Sequence, residues 1–250
     1  MTQDRKSLSG KEMSQFNGAN GDGAASPMEV DWGYPECVKG PLKRDLCKGL
    51  DALGLRPSAH EVSILAMYLE LLNKWNKVYN LTAIRDMNGM LVQHLFDCLA
   101  IIKPLRERCD VPAAAVLDVG SGAGLPAVVI ATLQPQWQVT AVDAVGKKMA
   151  FVQQAAAALG IGNLKAVHSR VEAVQAQYDM VVSRAYASLP DFIGSTRHCL
   201  KASGVWCAMK GKEPADEMGL LPSDVEVFHV EQLAVPCMDA QRCLVWMRLK

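Results

Sequence analysis

From Pro41 onward the chain's apolar positions follow two different rhythms. Leu42, Leu46, Leu50 and Leu53 recur at helical spacing until Gly54, predicting a first helix. A second helix opens at Ser58 and carries Val62, Leu65, Leu69, Leu72 and Trp75, with Glu61 placed to complete a capping box. A third is predicted from about Asn88 to Leu105, through Met90, Leu91, His94, Leu95, Leu99 and Ile102. After Pro112 the rhythm changes. Short apolar runs predict strands at 113–119, 137–142, 163–168, 178–183, 204–209, 225–232 and 243–249. Helical patterns fall between them at 125–133, 146–159, 189–202 and 214–220. Such alternation predicts an α/β domain, a mostly parallel sheet with helices on both faces. The last two strands have only the non-helical link 233–242 between them, so they are expected to pair antiparallel. Residues 1–40 are rich in Gly, Ser, Asn and Asp and lack periodicity, which predicts a disordered tail. The chain thus divides into that tail, a helical cap over 41–110 and an α/β domain over 111–250.

The chemistry concentrates where the first strand ends. Val116-Leu-Asp-Val-Gly-Ser-Gly-Ala-Gly-Leu-Pro126 reads as strand, glycine turn and helix, with glycines at 120, 122 and 124. This is the opening of a nucleotide-binding unit, where glycine accepts positive φ and lets a ligand approach the main chain. The spacing suits both S-adenosylmethionine and, through Gly122-Ala-Gly124-Leu-Pro-Ala127, a dinucleotide. Charge separates them. A carboxylate at Asp118, just ahead of the turn, would repel a pyrophosphate and attract a sulfonium, which favours S-adenosylmethionine. Asp143 ends the second strand about 20 residues on, placed for the ribose hydroxyls or, alternatively, to cap the helix starting near Gly146. Ligands bind beyond the carboxyl ends of such strands, so main-chain groups of Val171 and Glu172 are candidates for the adenine.

Composition narrows the setting. Net charge is zero, from 26 basic and 26 acidic residues, which supplies no global argument for nucleic acid. Only the block 41–108 leans basic, with 10 basic against 7 acidic side chains. The eight cysteines are scattered without metal-ligand spacing, which predicts reduced thiols in a cytoplasmic protein and no metal centre. No run is long and apolar enough to predict a membrane span. Within 73–85, Lys74, Lys77 and Arg85 interleave with Trp75 and Tyr79, a pattern that suits RNA, although helix packing by the two aromatics with an ordinary solvated cationic face is the better account of it. Lys147 and Lys148 open a predicted helix against its dipole, which favours a phosphate role. Lys210 and Lys212 carry the same expectation. His94 and Asp97 share a helical face by spacing and are expected to pair internally.

Six short motifs stand in order: Asn80-Leu-Thr82, His94-x-x-Asp97, Asp118-Val-Gly-Ser-Gly-Ala-Gly-Leu-Pro126, Ser169-Arg-Val-Glu172, Ser183-Arg-Ala-x-Ala187 and Lys210-Gly211. Together they resemble the bacterial 16S ribosomal RNA guanine-N7 methyltransferases, over roughly residues 42–250. Ala127 and Cys98 depart from residues frequent in that family, and the 40-residue tail is atypical. The resemblance implies a class I, Rossmann-like methyltransferase fold with seven strands and an N-terminal helical cap. It implies S-adenosyl-L-methionine as cofactor, a guanine in the decoding region of the small-subunit RNA as acceptor, and Gly120, Leu125, Val171, Glu172 and Arg184 as cofactor contacts. Asp118, Gly122, Gly124 and Asp143 join them from the logic of the turn. Methylating N7 removes no proton, so no general base is expected. A monomer is expected. Three rivals remain at this stage: a small-molecule methyltransferase on the same fold, a nicotinamide-dependent oxidoreductase, and a non-catalytic RNA-binding module.

Overall fold

A computed structural model describes residues 40–250, and the tail expected over the preceding residues lies outside the described region. Helix α1 spans Pro41–Ala52 and α2 spans Ala59–Tyr79. The capping box at Ser58 is present: its hydroxyl accepts from the Glu61 N–H, and the Glu61 carboxylate accepts from the Ser58 N–H. The third predicted helix is interrupted. It runs as α3 (Met87–Met90), a π-helical stretch (Leu91–Phe96) and α4 (Asp97–Leu99), followed by α5 (Ile102–Arg108).

The remaining chain forms a seven-stranded sheet: β1 (Ala115–Val119), β2 (Gln138–Asp143), β3 (Leu164–His168), β4 (Tyr178–Arg184), β5 (Leu200–Lys210), β6 (Val225–Gln232) and β7 (Cys243–Leu249). Their order is β3-β2-β1-β4-β5-β7-β6. Strands β1 to β5 pair in parallel, and β7 inserts antiparallel between β5 and β6. Helices α6 (Ala127–Leu133), α7 (Gly146–Leu159), α8 (Leu189–Thr196) and the short α9 (Ala215–Met218) connect them. The helix predicted over 189–202 stops early: after Thr196 comes a single 3-10 turn, and Leu200 already pairs with Tyr178 as sheet.

Both faces of the sheet are buried, which is why its central strands read as continuous apolar runs. Successive residues serve opposite layers. Val116, Met180, Val182, Cys207, Leu244 and Trp246 join a core shared with the N-terminal helices, α6 and α7. Leu117, Val119, Val181, Trp206 and Val245 join a second core under α8. In the first core Leu46, Leu50, Leu65, Leu69 and Leu72 are fully buried. Each contributes about 1.5–3 kcal/mol by leaving water, whereas a hydrogen bond contributes about 1 kcal/mol net. Burial therefore holds the helices to the sheet, and polar contacts set their register. One such contact is the Tyr68 hydroxyl, which donates to the Ala123 carbonyl at 2.8 Å.

Candidate functional site

Strand order reverses between β1 and β4, the position where open α/β sheets bind ligands. A cavity of about 380 Å³ opens there, lined at its centre by Gly120, Asp143, Ser169, Val171, Glu172 and Tyr186. Three of the lining segments are the tips of β1, β2 and β4, and the fourth is the turn after β3.

The glycine turn is left-handed at each glycine, with φ of +67° at Gly120, +61° at Gly122 and +93° at Gly124. A side chain there is strained whatever space surrounds it. Five of its N–H groups are already committed. Gly120 and Ser121 donate to the Val142 carbonyl, Gly124 and Leu125 to the Ser121 carbonyl, and Gly122 to Asp143 Oδ2 at 2.9 Å. A pyrophosphate needs such groups free and aimed at it. Their commitment counts against the dinucleotide reading.

Asp118 has a different role from the one its position suggested. It does not face the cavity but is fully buried beneath the turn. Its Oδ2 accepts from the Ser121 hydroxyl at 2.5 Å and from the Ala127 N–H at 3.0 Å, so it braces the turn and caps α6. The reason is sheet alternation: Asp118 shares a face with Val116, the face on which α6 packs. Burial raises its pKa to about 6, against the lowering effect of those two donors.

Both carboxylate oxygens of Asp143 are engaged within the protein, as the capping alternative anticipated. Oδ1 accepts from the Val145 N–H at 2.8 Å, just ahead of α7, while Oδ2 holds Gly122. Its side chain still lines the cavity. Gly122, Gly124 and Leu125 do not line it. Gly124 lies within the packing of Val128 and Val152, and Leu125 is buried in the core. A Cβ on Gly122 would meet nothing nearer than the Gly120 carbonyl at 4.0 Å. Gly122→Val is therefore expected to fold and to weaken S-adenosylhomocysteine binding about tenfold, because a β-branched residue at positive φ displaces the Asp143 contact at roughly 1–2 kcal/mol. Calorimetric titration checks this; unchanged affinity would remove Gly122 from the site.

Arg184, at the end of β4, turns toward the N-terminal helices rather than into the cavity lining. Nη1 donates to the Gln93 carbonyl at 3.0 Å and to Asp97 Oδ2 at 3.3 Å. Asp97, 5% exposed, also accepts from Arg242 Nε at 2.9 Å. Arg242 carried no sequence signal, because it lies just before β7, far along the chain from Asp97. His94 and Asp97 do not pair with each other as expected. His94 Nε2 meets the Thr82 hydroxyl at 2.7 Å, and both residues meet Arg184 instead. The π-helical bonding explains this, since widening the turn rotates residues three apart onto different faces.

Burial, reinforced by the Arg184 charge, lowers the His94 pKa to about 4. A depressed histidine contributes stability that is full above its unfolded value near 6.5 and is lost as pH falls through about 4. The raised Asp118 contributes stability that is full below about 4 and is lost as pH rises through about 6. Between pH 4 and 6 the two oppose each other. On raising pH from 4.5 to 6.5, His94→Gln is expected to lose stability relative to wild type and Asp118→Asn to gain it, each by a few kcal/mol. Urea unfolding at both pH values reads this, and parallel slopes in the two variants would sink it.

Several cations expected to face phosphate have protein partners. Lys147 Nζ donates to the Tyr79 carbonyl at 2.7 Å, so a lysine unfavourable at the start of α7 is favourable at the end of α2. Lys148 lies 3.9 Å from Asp143. Lys210 is taken by Glu217 at 2.8 Å and the Ala187 carbonyl at 2.9 Å. Lys74, Lys77 and Lys212 are exposed, as is Arg85, which donates to Asn80 Oδ1. Trp75 packs on Phe151 at 5.5 Å, while Tyr79 and Val78 are exposed beside Lys77. Among the described residues, no group of three or more His, Cys, Asp or Glu is arranged to hold a metal ion. No helix among them is long and apolar enough to cross a membrane.

Tyr186 was missed by sequence reasoning, standing at the unspecified position of Ser183-Arg-Ala-x-Ala187. It enters the lining because Ala185 takes a left-handed φ of +53° and turns the chain over the end of β1.

The doubly wound sheet, its committed glycine turn and the acid ending β2 define the class I methyltransferase fold. Two solved structures share it: TrmN from Thermus thermophilus (TM-score 0.51, 20% identity, covering 61% of this chain and 48% of that one) and a SAM-dependent methyltransferase from Aquifex aeolicus (TM-score 0.50, 17% identity, 64% and 93%). At those identities the likeness concerns the fold alone. The GidB family model, described as rRNA small subunit methyltransferase G, matches residues 61–245, and the chain belongs to that family. It is similar to the ribosomal RNA small subunit methyltransferase G of a Polaromonas species, 52% identical over 212 residues, covering 83% of this chain and 94% of that protein.

Proposed function

We propose that this chain methylates N7 of a guanine in the decoding region of 16S ribosomal RNA, using S-adenosyl-L-methionine. The observation that carries the reading is the cavity at the β1/β4 reversal, bounded by a glycine turn whose N–H groups are mostly committed within the fold and by Asp143. The donor set fits that cofactor. Asp143 keeps further lone pairs for the ribose hydroxyls beyond the two it commits. The turn after β3 offers the main chain of Val171 and Glu172 to the adenine edge, while Gly120 bounds the glycine side and Leu125 anchors the turn in the core. Arg184, held by Asp97 and the Gln93 carbonyl, acts indirectly by fixing the end of β4 beside the cavity, and Asp118 by keeping Gly122 and Gly124 in shape. When bound, the cofactor supplies an electrophilic methyl group on a sulfonium.

Guanine N7 carries a free lone pair. With the cofactor bound, its methyl would pass to that lone pair without any proton leaving the ring. The protein's contribution is then orientation and exclusion of water. The exposed cations Lys74, Lys77, Arg85 and Lys212 are assigned to the RNA backbone, with Tyr79 beside them as a stacking surface. This reading takes the protein as a cytoplasmic monomer with 16S rRNA or the small ribosomal subunit as partner. Incubation with labelled cofactor and either naked 16S RNA or small subunits, followed by nucleoside mapping, tests it. One 7-methylguanosine is expected. Label absent from both substrates would end the proposal.

A further inference from the structure

We propose that Tyr186 is the plate on which the acceptor guanine stacks, a role that rests on the reading above. The ring is 37% exposed although it belongs to the lining of the cavity. It lies directly on the glycine turn: a Cβ placed on Gly120 would come within 2.6 Å of Tyr186 Cδ2. Its inner edge is fixed by Phe192, which is buried in the second core, with ring centroids 6.3 Å apart at 72°. The backbone that aims it is strained, since Ala185 adopts a conformation alanine normally avoids. Such strain persists only where the surroundings enforce it. The result is an aromatic face anchored from behind, open to solvent in front, and adjacent to the turn along which a methyl donor would lie.

A ring in that position suits a flat purine better than a phosphate or a sugar. It also suits the charge change of the reaction. Positive charge passes from the sulfonium to the guanine ring as N7 gains its methyl, and an aromatic face attracts a cation throughout that movement. A side chain serving only as packing would not need an exposed face beside the turn.

The experiment is steady-state methyl transfer to the RNA substrate at saturating S-adenosylmethionine, alongside S-adenosylhomocysteine affinity and thermal unfolding. Tyr186→Leu is expected to lose about 10- to 100-fold in kcat/KM for RNA, the range set by one base-stacking contact. Tyr186→Phe and Tyr186→Trp should recover most of it, because the face rather than the hydroxyl acts. Affinity for S-adenosylhomocysteine should change less than threefold in all three. Tyr186→Gln provides a second non-aromatic variant should the leucine protein fold poorly. The proposal is overturned if the non-aromatic variants retain full activity, or if their loss follows a parallel loss of cofactor affinity. Wild-type protein that leaves guanine N7 unmodified would instead overturn the functional reading beneath it.

Discussion

Asp143→Ala is expected to lower S-adenosylhomocysteine affinity by about 100-fold or more, the largest loss from any single change at the site. Two effects combine. The ribose hydroxyls lose charge-assisted partners, each worth about 1.5–3 kcal/mol. The N–H groups of Gly122 and Val145, held at 2.9 and 2.8 Å, lose their acceptor at the same time. The turn then has less reason to keep its left-handed course. Asp143→Asn retains one oxygen and should lose only about tenfold. Isothermal titration separates the cases, and an alanine variant that binds as wild type would show that the ribose lies elsewhere.

Arg184→Leu should produce the largest loss of stability, about 3 kcal/mol, because it strands a buried carboxylate. Asp97 would keep Arg242 but lose the cation at 3.3 Å, and the Gln93 carbonyl would lose its donor. For a chain of this size the melting temperature should fall by roughly 6–12 °C. Removing both charges in Arg184→Leu/Asp97→Leu should be less harmful than the sum of the single changes, with a coupling near 2 kcal/mol. Additive single effects in thermal unfolding would mean that the pair is not energetically joined.

Much of this was legible in the residues. The strands could be read because two-sided burial makes them apolar throughout, and predicted runs such as 225–232 and 243–249 match β6 and β7 residue for residue. The glycine turn and Asp143 were legible for a local reason: their chemistry lies within a few residues of the strand ends. The failures are non-local. Lys147 makes sense only once the end of α2 lies beside the start of α7. Asp97 meets Arg184 and Arg242, each more than 80 residues further along the chain. Asp118 could have been placed correctly from alternation alone, since its neighbours two residues apart share its face, but charge drew the reading toward the ligand. The π-helical stretch left no mark in the apolar spacing, which both helix types satisfy over so few residues.

The bond from the Tyr68 hydroxyl to the Ala123 carbonyl limits how the protein can be cut. A fragment trimmed to the sheet-bearing half would leave that carbonyl without its donor, Arg184 without its acid, and the apolar residues of the shared first core facing water. Such a fragment would not be a smaller catalyst. Chimeras between relatives must transplant the leading helices and the ligand loop as one piece.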